Sequence, residues 1–314
     1  MSYTIAKKTL LAIEEGVQKD QGASYRSWLQ KVLPHIGDAY RAEEFPFREH
    51  LGASLLGKSC GRAIYYGWRW SVIPKFAGRI LRLFNRGHLE EGRFIALLLM
   101  IGVQVYQQDE NGKQFRISHY GGHLGGSGDG ILIDVPDLEP GTPCLFEAKT
   151  HNDKSFKLLV KSGVKVSKPE HYVQCQTYMR KMGLPVTLYM GVNKNDDDLH
   201  AEILYLETEV GDQYIDRVGN IIQSDGPPAK ISENPSWFEC KWCDFSKICH
   251  NGHEPEKNCR TCMYSFPDTT DGKWYCRNPV ALEDAAMQGW EDPIELSKMD
   301  QYRGCDKWEK IRGF

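Results

Sequence analysis

Gly128-Asp129-Gly130-Ile131-Leu132-Ile133-Asp134 and Cys144-Leu145-Phe146-Glu147-Ala148-Lys149-Thr150 are two apolar runs with turn residues between them. Such a pair predicts a β-hairpin. Asp129 heads the first strand, and Glu147 and Lys149 end the second. Strand side chains alternate, so Glu147 and Lys149 share one face while Ala148 points to the other. Two carboxylates and an amine at one sheet edge are what a divalent cation and an activated water require. The pattern is short, and its weight comes from what surrounds it.

The chain has 314 residues, enough for one large domain or two small ones. At 41% hydrophobic and 26% charged residues its composition is that of a soluble globular protein. No run approaches the roughly 20 apolar residues of a membrane span, so no membrane partner is expected. The opening Met1-Ser2-Tyr3-Thr4-Ile5-Ala6-Lys7-Lys8 lacks the apolar centre of a secretion signal. The expectation is a reducing cytoplasm. A net charge of −3 neither advertises nor excludes nucleic acid, because binding follows local patches. Six of the ten cysteines fall between Cys240 and Cys276, which without a secretion signal argues for metal rather than disulfides.

Working outward from the hairpin, residues 1 to about 50 read as helical. Asn85 opens a helix whose stretch Phe94 to Ile101 is apolar nearly all round and therefore buried. Val103 to Tyr106 and Phe115 to Ser118 are short strand candidates. The Gly121–Gly128 run lacks the Gly-Lys-Ser/Thr of a phosphate-cradling loop. After the hairpin come a lysine-rich segment, a helix from Pro169 to Met182, and strands Val186 to Val192 and Leu199 to Leu206. Asp225 to Pro235, with Gly226, Pro227, Pro228 and Pro235, reads as a linker.

Gln174 and Tyr178 lie four apart on one face of the Pro169–Met182 helix, and His171 shares that face. His88 and Glu91 are three apart on the earlier helix. With these residues in place the chain resembles the PD-(D/E)XK nuclease superfamily, in its RecB-like and phage-exonuclease branch. Gly87-x-x-x-Glu91 matches the helix motif in its Glu form. Asp129 matches the strand acid, Glu147-Ala148-Lys149 the Glu-x-Lys strand, and Gln174-x-x-x-Tyr178 the closing helix. The departure is His88, one residue after Gly87 where the family histidine comes four after it. Glu91 is therefore favoured as the helix ligand, with His88 as the nearby option.

The resemblance implies an α/β, restriction-endonuclease-like core, a mixed central sheet flanked by helices, with a C-terminal metal-binding module. It implies Mg²⁺ or Mn²⁺ on Asp129, Glu147, Glu91 and the Ala148 carbonyl. Lys149 would position or deprotonate water, or neutralise charge, and Gln174 and Tyr178 would orient it or contact the DNA backbone.

Cys240-Lys241-Trp242-Cys243 followed by Cys249 needs a fourth ligand, and Cys60 is the natural candidate. One cysteine before the core and three after it resemble the frame of iron–sulfur RecB-like nucleases, which implies a structural 4Fe–4S cluster. Zinc at the same four thiols is the alternative. Cys259-x-x-Cys262, then Cys276, with His250 and His253 just before, fits a Zn²⁺ site of three thiols and one imidazole. Cys144, Cys175 and Cys305 find no partner by spacing; burial as small apolar side chains suits the first two.

The expected organisation is a helical region over 1–84 carrying Cys60, a nuclease core over 85–224, an iron–sulfur module over 225–250 and a zinc-binding tail over 251–314. Lysines 154, 157, 161, 165 and 168 recur at helical spacing, and either contact phosphate or form a solvated face. Trp68, Arg69 and Trp70 with Lys75, Arg79, Arg82 and Arg86 suit either single-strand stacking or burial. The expected activity is metal-dependent DNA hydrolysis by an exonuclease in recombination, repair or phage DNA processing. A structure-selective or restriction-type endonuclease and a non-catalytic DNA-binding or assembly protein are the alternatives. Expected partners are DNA ends, single- or double-stranded, and a single-strand-annealing or recombination protein. The setting would be a bacterial or phage-infected cell.

Overall fold

The computed structural model describes residues 2–41, 45–287 and 293–314. The chain divides into two compact units. The first comprises Met1–Glu44, Phe76–Ile117 and Ser127–Asp212; the second comprises Phe45–Lys75, Ser118–Gly126 and Gln213–Phe314.

The first unit is a mixed α/β layer structure. Its strands are β1 (Tyr3–Ile5), β2 (Gln104–Tyr106), β3 (Gly130–Ile133), β4 (Cys144–His151), β5 (Val186–Asn193) and β6 (Leu199–Tyr205). They form one sheet in the order β1-β6-β5-β4-β3-β2. The hairpin expected from the sequence is present: β3 and β4 pair antiparallel, with Gly130 opposite Phe146. The central pair β4/β5 is parallel, placing Glu147 beside Tyr189 and Lys149 beside Gly191. Every other pair is antiparallel. Tyr3–Ile5, in a stretch whose sequence reads as helical, is an edge strand paired with β6. Three residues are too few for periodicity to separate strand from helix, and the pairing with Leu204, Ile203 and Glu202 decides it.

Alternation gives the sheet two different faces. On one, Cys144, Phe146, Leu188, Met190, Val192, Ala201 and Ile203 form an apolar core with Ile13, Phe94, Ile95 and Leu98. The latter come from the helices Lys7–Lys19 and Gly78–Met100. Each fully buried Phe or Leu there contributes roughly 2 kcal/mol. The other face bears Glu147, Lys149 and His151 on β4, Tyr189 on β5, and His200 and Glu202 on β6. Two helices belong to this side, Asp153–Ser167 and Pro169–Met182. Asn152 caps the first by accepting the Ser155 N–H at 2.9 Å. That helix breaks at Gly163, φ +70°, where a Cβ would stand 2.7 Å from the Tyr3 ring. The break delivers the Val164 N–H to buried Glu202, at 3.2 and 3.1 Å from its two oxygens.

The second unit is built around aromatics and short elements. Leu51–Gly52 pairs parallel with Leu124–Gly125. Ser265–Pro267, Trp274–Cys276 and Ile294–Leu296 form a three-stranded antiparallel sheet. Arg260, fully buried, lies 3.8 Å over Trp70, 4.7 Å over Trp68 and 4.6 Å over Trp274, ring centroids taken. Its guanidinium donates to Gln301 Oε1 at 2.9 Å and to the carbonyls of Glu49 and Trp68 at 2.9 and 3.2 Å. Trp68 and Trp70 are therefore buried packing residues that hold a desolvated cation. Arg79, Arg82 and Arg86 are exposed. No helix or strand falls between Asp225 and Pro235. Among the described residues no helix is long and apolar enough to cross a membrane.

Candidate active site

The end of the hairpin gathers the expected residues within the first unit. Asp129 Oδ2 accepts the Ala148 N–H at 2.8 Å, so the strand acid is fastened to the backbone between Glu147 and Lys149. Glu147 Oε1 accepts from both the Lys149 ammonium and Gln174 Nε2, the latter at 3.0 Å. Its other oxygen, Oε2, is buried with no hydrogen-bond partner. Ala148 turns to the apolar core, as alternation requires.

The charges of this cluster disturb one another. Burial, then the Asp129 carboxylate, pushes Glu147 up to about 7 against the pull of Lys149. Burial first, then Asp129, Asp38 and Glu147, pushes Glu91 up to about 8. Burial alone would lower Lys149, but the Glu147 and Asp129 carboxylates outweigh it and hold the ammonium above the ordinary lysine range. Tyr178 is buried and its phenol is raised by burial and by the same two carboxylates. Glu91 from the Gly78–Met100 helix is thus within charge range of Asp129 and Glu147. His88, three residues before Glu91, has its Nδ1 3.9 Å from Oδ2 of the same Asp38.

Three further residues enter that the motif search does not name as site residues. His171 Nδ1 and His151 Nε2 meet at the Tyr189 hydroxyl, at 2.9 and 3.1 Å. His151 Nδ1 lies 3.2 Å from Ser155 Oγ, which accepts from Lys168 Nζ at 2.6 Å. Burial, then Lys149, His151 and Lys168, pushes His171 down to about 3, so it is neutral at physiological pH. Strand alternation carries a signal for His151, two residues beyond Lys149 on the same face. Tyr189 carries none, because its place depends on the β4/β5 register. The lysine segment is partly spoken for: Lys157 pairs with Asp153 at 2.9 Å and Lys165 with Glu207 at 2.8 Å.

Among the described residues no group of three or more His, Cys, Asp or Glu side chains forms a ready-made metal site. The donor set nevertheless fits a hard cation. A buried, unpartnered carboxylate oxygen and two carboxylates raised by burial and mutual repulsion would be relieved by a divalent ion.

The cysteines sort into two groups inside the second unit. Cys60, Cys240, Cys243 and Cys249 line one pocket, together with His250. The Ser59 hydroxyl bonds Glu239, and Arg217 donates to the Lys58 and Ser59 carbonyls at 2.7 and 2.8 Å, which fixes Cys60 beside Cys240. Cys259 and Cys262 are buried and Cys276 is partly buried, within a separate group. Cys305, exposed and without a partner by spacing, lies within charge range of Cys259 and Cys276. The His253 N–H is bonded to the Lys247 carbonyl at 3.2 Å. Cys144 and Cys175 are fully buried.

No protein-family profile and no curated protein matches the chain. Among solved structures it is similar to the protein SSO0001, at 16% identity and a TM-score of 0.40 over 73% of this chain and 97% of that one. It is also similar to an alkaline exonuclease (LHK-Exo) from Laribacter hongkongensis, including a structure in complex with dAMP. That likeness has 17% identity and a TM-score of 0.41, over 62% of this chain and 90% of that one. Likeness at this level leaves the functional argument to the residues.

Proposed function

We propose that the chain is a metal-dependent deoxyribonuclease of the PD-(D/E)XK type, acting as an exonuclease on DNA ends. The observation that supports it is the buried Glu147 carboxylate. One of its oxygens takes Lys149 and Gln174, and the other is unpartnered beside a fastened Asp129. Asp129, Glu147 and Glu91, with the Ala148 carbonyl, would hold Mg²⁺ or Mn²⁺. Such an ion, when bound, supplies charge neutralisation at the scissile phosphate and acidifies water. The chain's own residues do the rest. Lys149, kept cationic by its carboxylate neighbours, orients the attacking water and offsets negative charge developing on the phosphoryl oxygens. Gln174 fixes Glu147, and Tyr178 closes the same helix face. His171 and His151, joined through Tyr189 and both held neutral mainly by burial, add no charge on the Lys149 face of the sheet.

Cys60, Cys240, Cys243 and Cys249 would hold a 4Fe–4S cluster, a group that four thiols around one pocket suit. The protein purified without oxygen is then brown, and substituting Cys240→Ser bleaches it. A colourless protein carrying zinc in these thiols refutes the cluster.

The activity test uses end-labelled linear DNA and closed circular DNA with Mg²⁺ or Mn²⁺. Linear DNA should be degraded from its ends and closed circles spared. Lys149→Ala should cost about 10²-fold or more in rate with the fold intact. A folded Lys149→Ala protein as active as wild type sinks the mechanism. Cutting of closed circles makes the enzyme an endonuclease, and DNA binding without turnover makes it an assembly protein.

A further inference from the structure

The second cysteine group is the strongest unassigned feature of the molecule. It lies wholly within the second unit. Cys259 and Cys262 flank a single turn in which the Cys262 N–H bonds the Cys259 carbonyl at 3.0 Å. Cys276 ends the Trp274–Cys276 strand, opposite Ser265. Its Sγ accepts the Asn278 N–H at 3.5 Å, the kind of N–H···S contact that stabilises a thiolate.

The segment carrying Cys305 is tied to this frame at three points. First, Cys259 Sγ and the Gly304 N–H meet at one acceptor, the Asp300 carbonyl, at 3.3 and 3.1 Å. Gly304 is packed so closely that a Cβ on it would stand 3.1 Å from Asn258 Cα. Second, the Asn278 amide donates to the Lys307 carbonyl at 3.3 Å, joining the residue two beyond Cys276 to the residue two beyond Cys305. Third, Lys310 bridges Cys262, and the Trp308 indole donates to Thr261 at 3.1 Å. Backbone ties on both sides of Cys305 thus converge on the other three cysteines. His250, by contrast, lines the pocket of Cys60, Cys240, Cys243 and Cys249.

We infer that Cys259, Cys262, Cys276 and Cys305 form an all-thiolate Zn²⁺ site, with Cys305 rather than a histidine as the fourth ligand. Four thiolates, once gathered, select zinc among divalent ions of the cell. The thiols are not pre-arranged: Cys259 is turned to the Asp300 carbonyl, and rotation about its Cα–Cβ bond frees it. The site would clamp the Lys298–Arg303 helix and the residues after it onto the Cys259–Cys276 hairpin. It stands independently of the nuclease reading.

The test is alkylation of the full-length native protein, mapped cysteine by cysteine by peptide mass spectrometry, with zinc counted by elemental analysis. Cys305 is exposed, so a free thiol there reacts at once. The expected result is that Cys305 resists alkylation until a chelator is added. It should then become reactive together with Cys259, Cys262 and Cys276. Cys305→Ser should lose about one zinc per chain, whereas the His250→Ala/His253→Ala protein keeps it. Cys305→His should keep the metal and shift the visible bands of the cobalt-substituted protein. Equal alkylation of Cys305 with and without chelator overturns the assignment, and needs no variant to fold. So does a folded Cys305→Ser protein with undiminished zinc, or loss of the zinc in the histidine variant.

Discussion

Glu147 is fully buried, yet only one of its oxygens is partnered. Its carboxyl is raised from the ordinary 4.5 to about 7, so the metal-free folded chain holds this proton longer than the unfolded chain does. The stability that follows is fully present below about 4.5 and is lost as the pH rises through about 7. Glu147→Gln mimics the protonated form. In chelator, its stability relative to wild type should rise as the pH is raised from 5 to 8. Mn²⁺ should reverse the order by stabilising wild type alone. A pH-independent difference would remove the burial argument. Tyr189→Phe should cost about 1 kcal/mol in denaturant unfolding, since it leaves His151 and His171 without their shared hydroxyl. At this scale Asp129, Glu147, Lys149, Gln174 and Tyr178 were legible, because motif spacing on a hairpin and a helix fixes which side chains share a face. The His151–Tyr189–His171 bridge was only partly so, because a parallel register cannot be read along one strand.

The helix after the hairpin shows how local chemistry places the site. Asn152 caps it, and Asn152→Ala should cost about 1 kcal/mol in thermal unfolding. Gly163 has a different task. Its φ of +70° and the Tyr3 ring 2.7 Å from a virtual Cβ leave no room for a side chain. Gly163→Ala should destabilise by more than 1 kcal/mol, and Tyr3→Ala should recover part of that loss. An unchanged midpoint in the single variant would mean the helix can straighten there. Gly163, between Ser162 and Val164, is the weak point of this lysine-spaced segment for a helix, and the break lies there. What the break accomplishes, the delivery of the Val164 N–H to Glu202, was invisible without the neighbouring strand.

Two units share the chain, and each is assembled from three separate segments. The second holds both cysteine groups, so stripping metal from their thiols, in protein already free of Mg²⁺ and Mn²⁺, should act on its stability. Calorimetry of the native protein is expected to show two transitions, of which a chelator lowers one. A single transition shifted as a whole would mean that the units unfold together.

The sequence by itself determined the hairpin, the two acids and the lysine at its end, the helix that supplies Gln174 and Tyr178, and the clustering of the cysteines. These depend on neighbours within a turn or a strand, where spacing and side-chain alternation are sufficient. Tertiary structure alone decided that Tyr3–Ile5 is a strand, that Trp68 and Trp70 enclose Arg260, and that the Asp300 carbonyl meets the Cys259 thiol. Each of those rests on contacts between segments tens to hundreds of residues apart. Burial and backbone hydrogen bonding at such distances are set by the packed fold and leave no periodic trace in the chain.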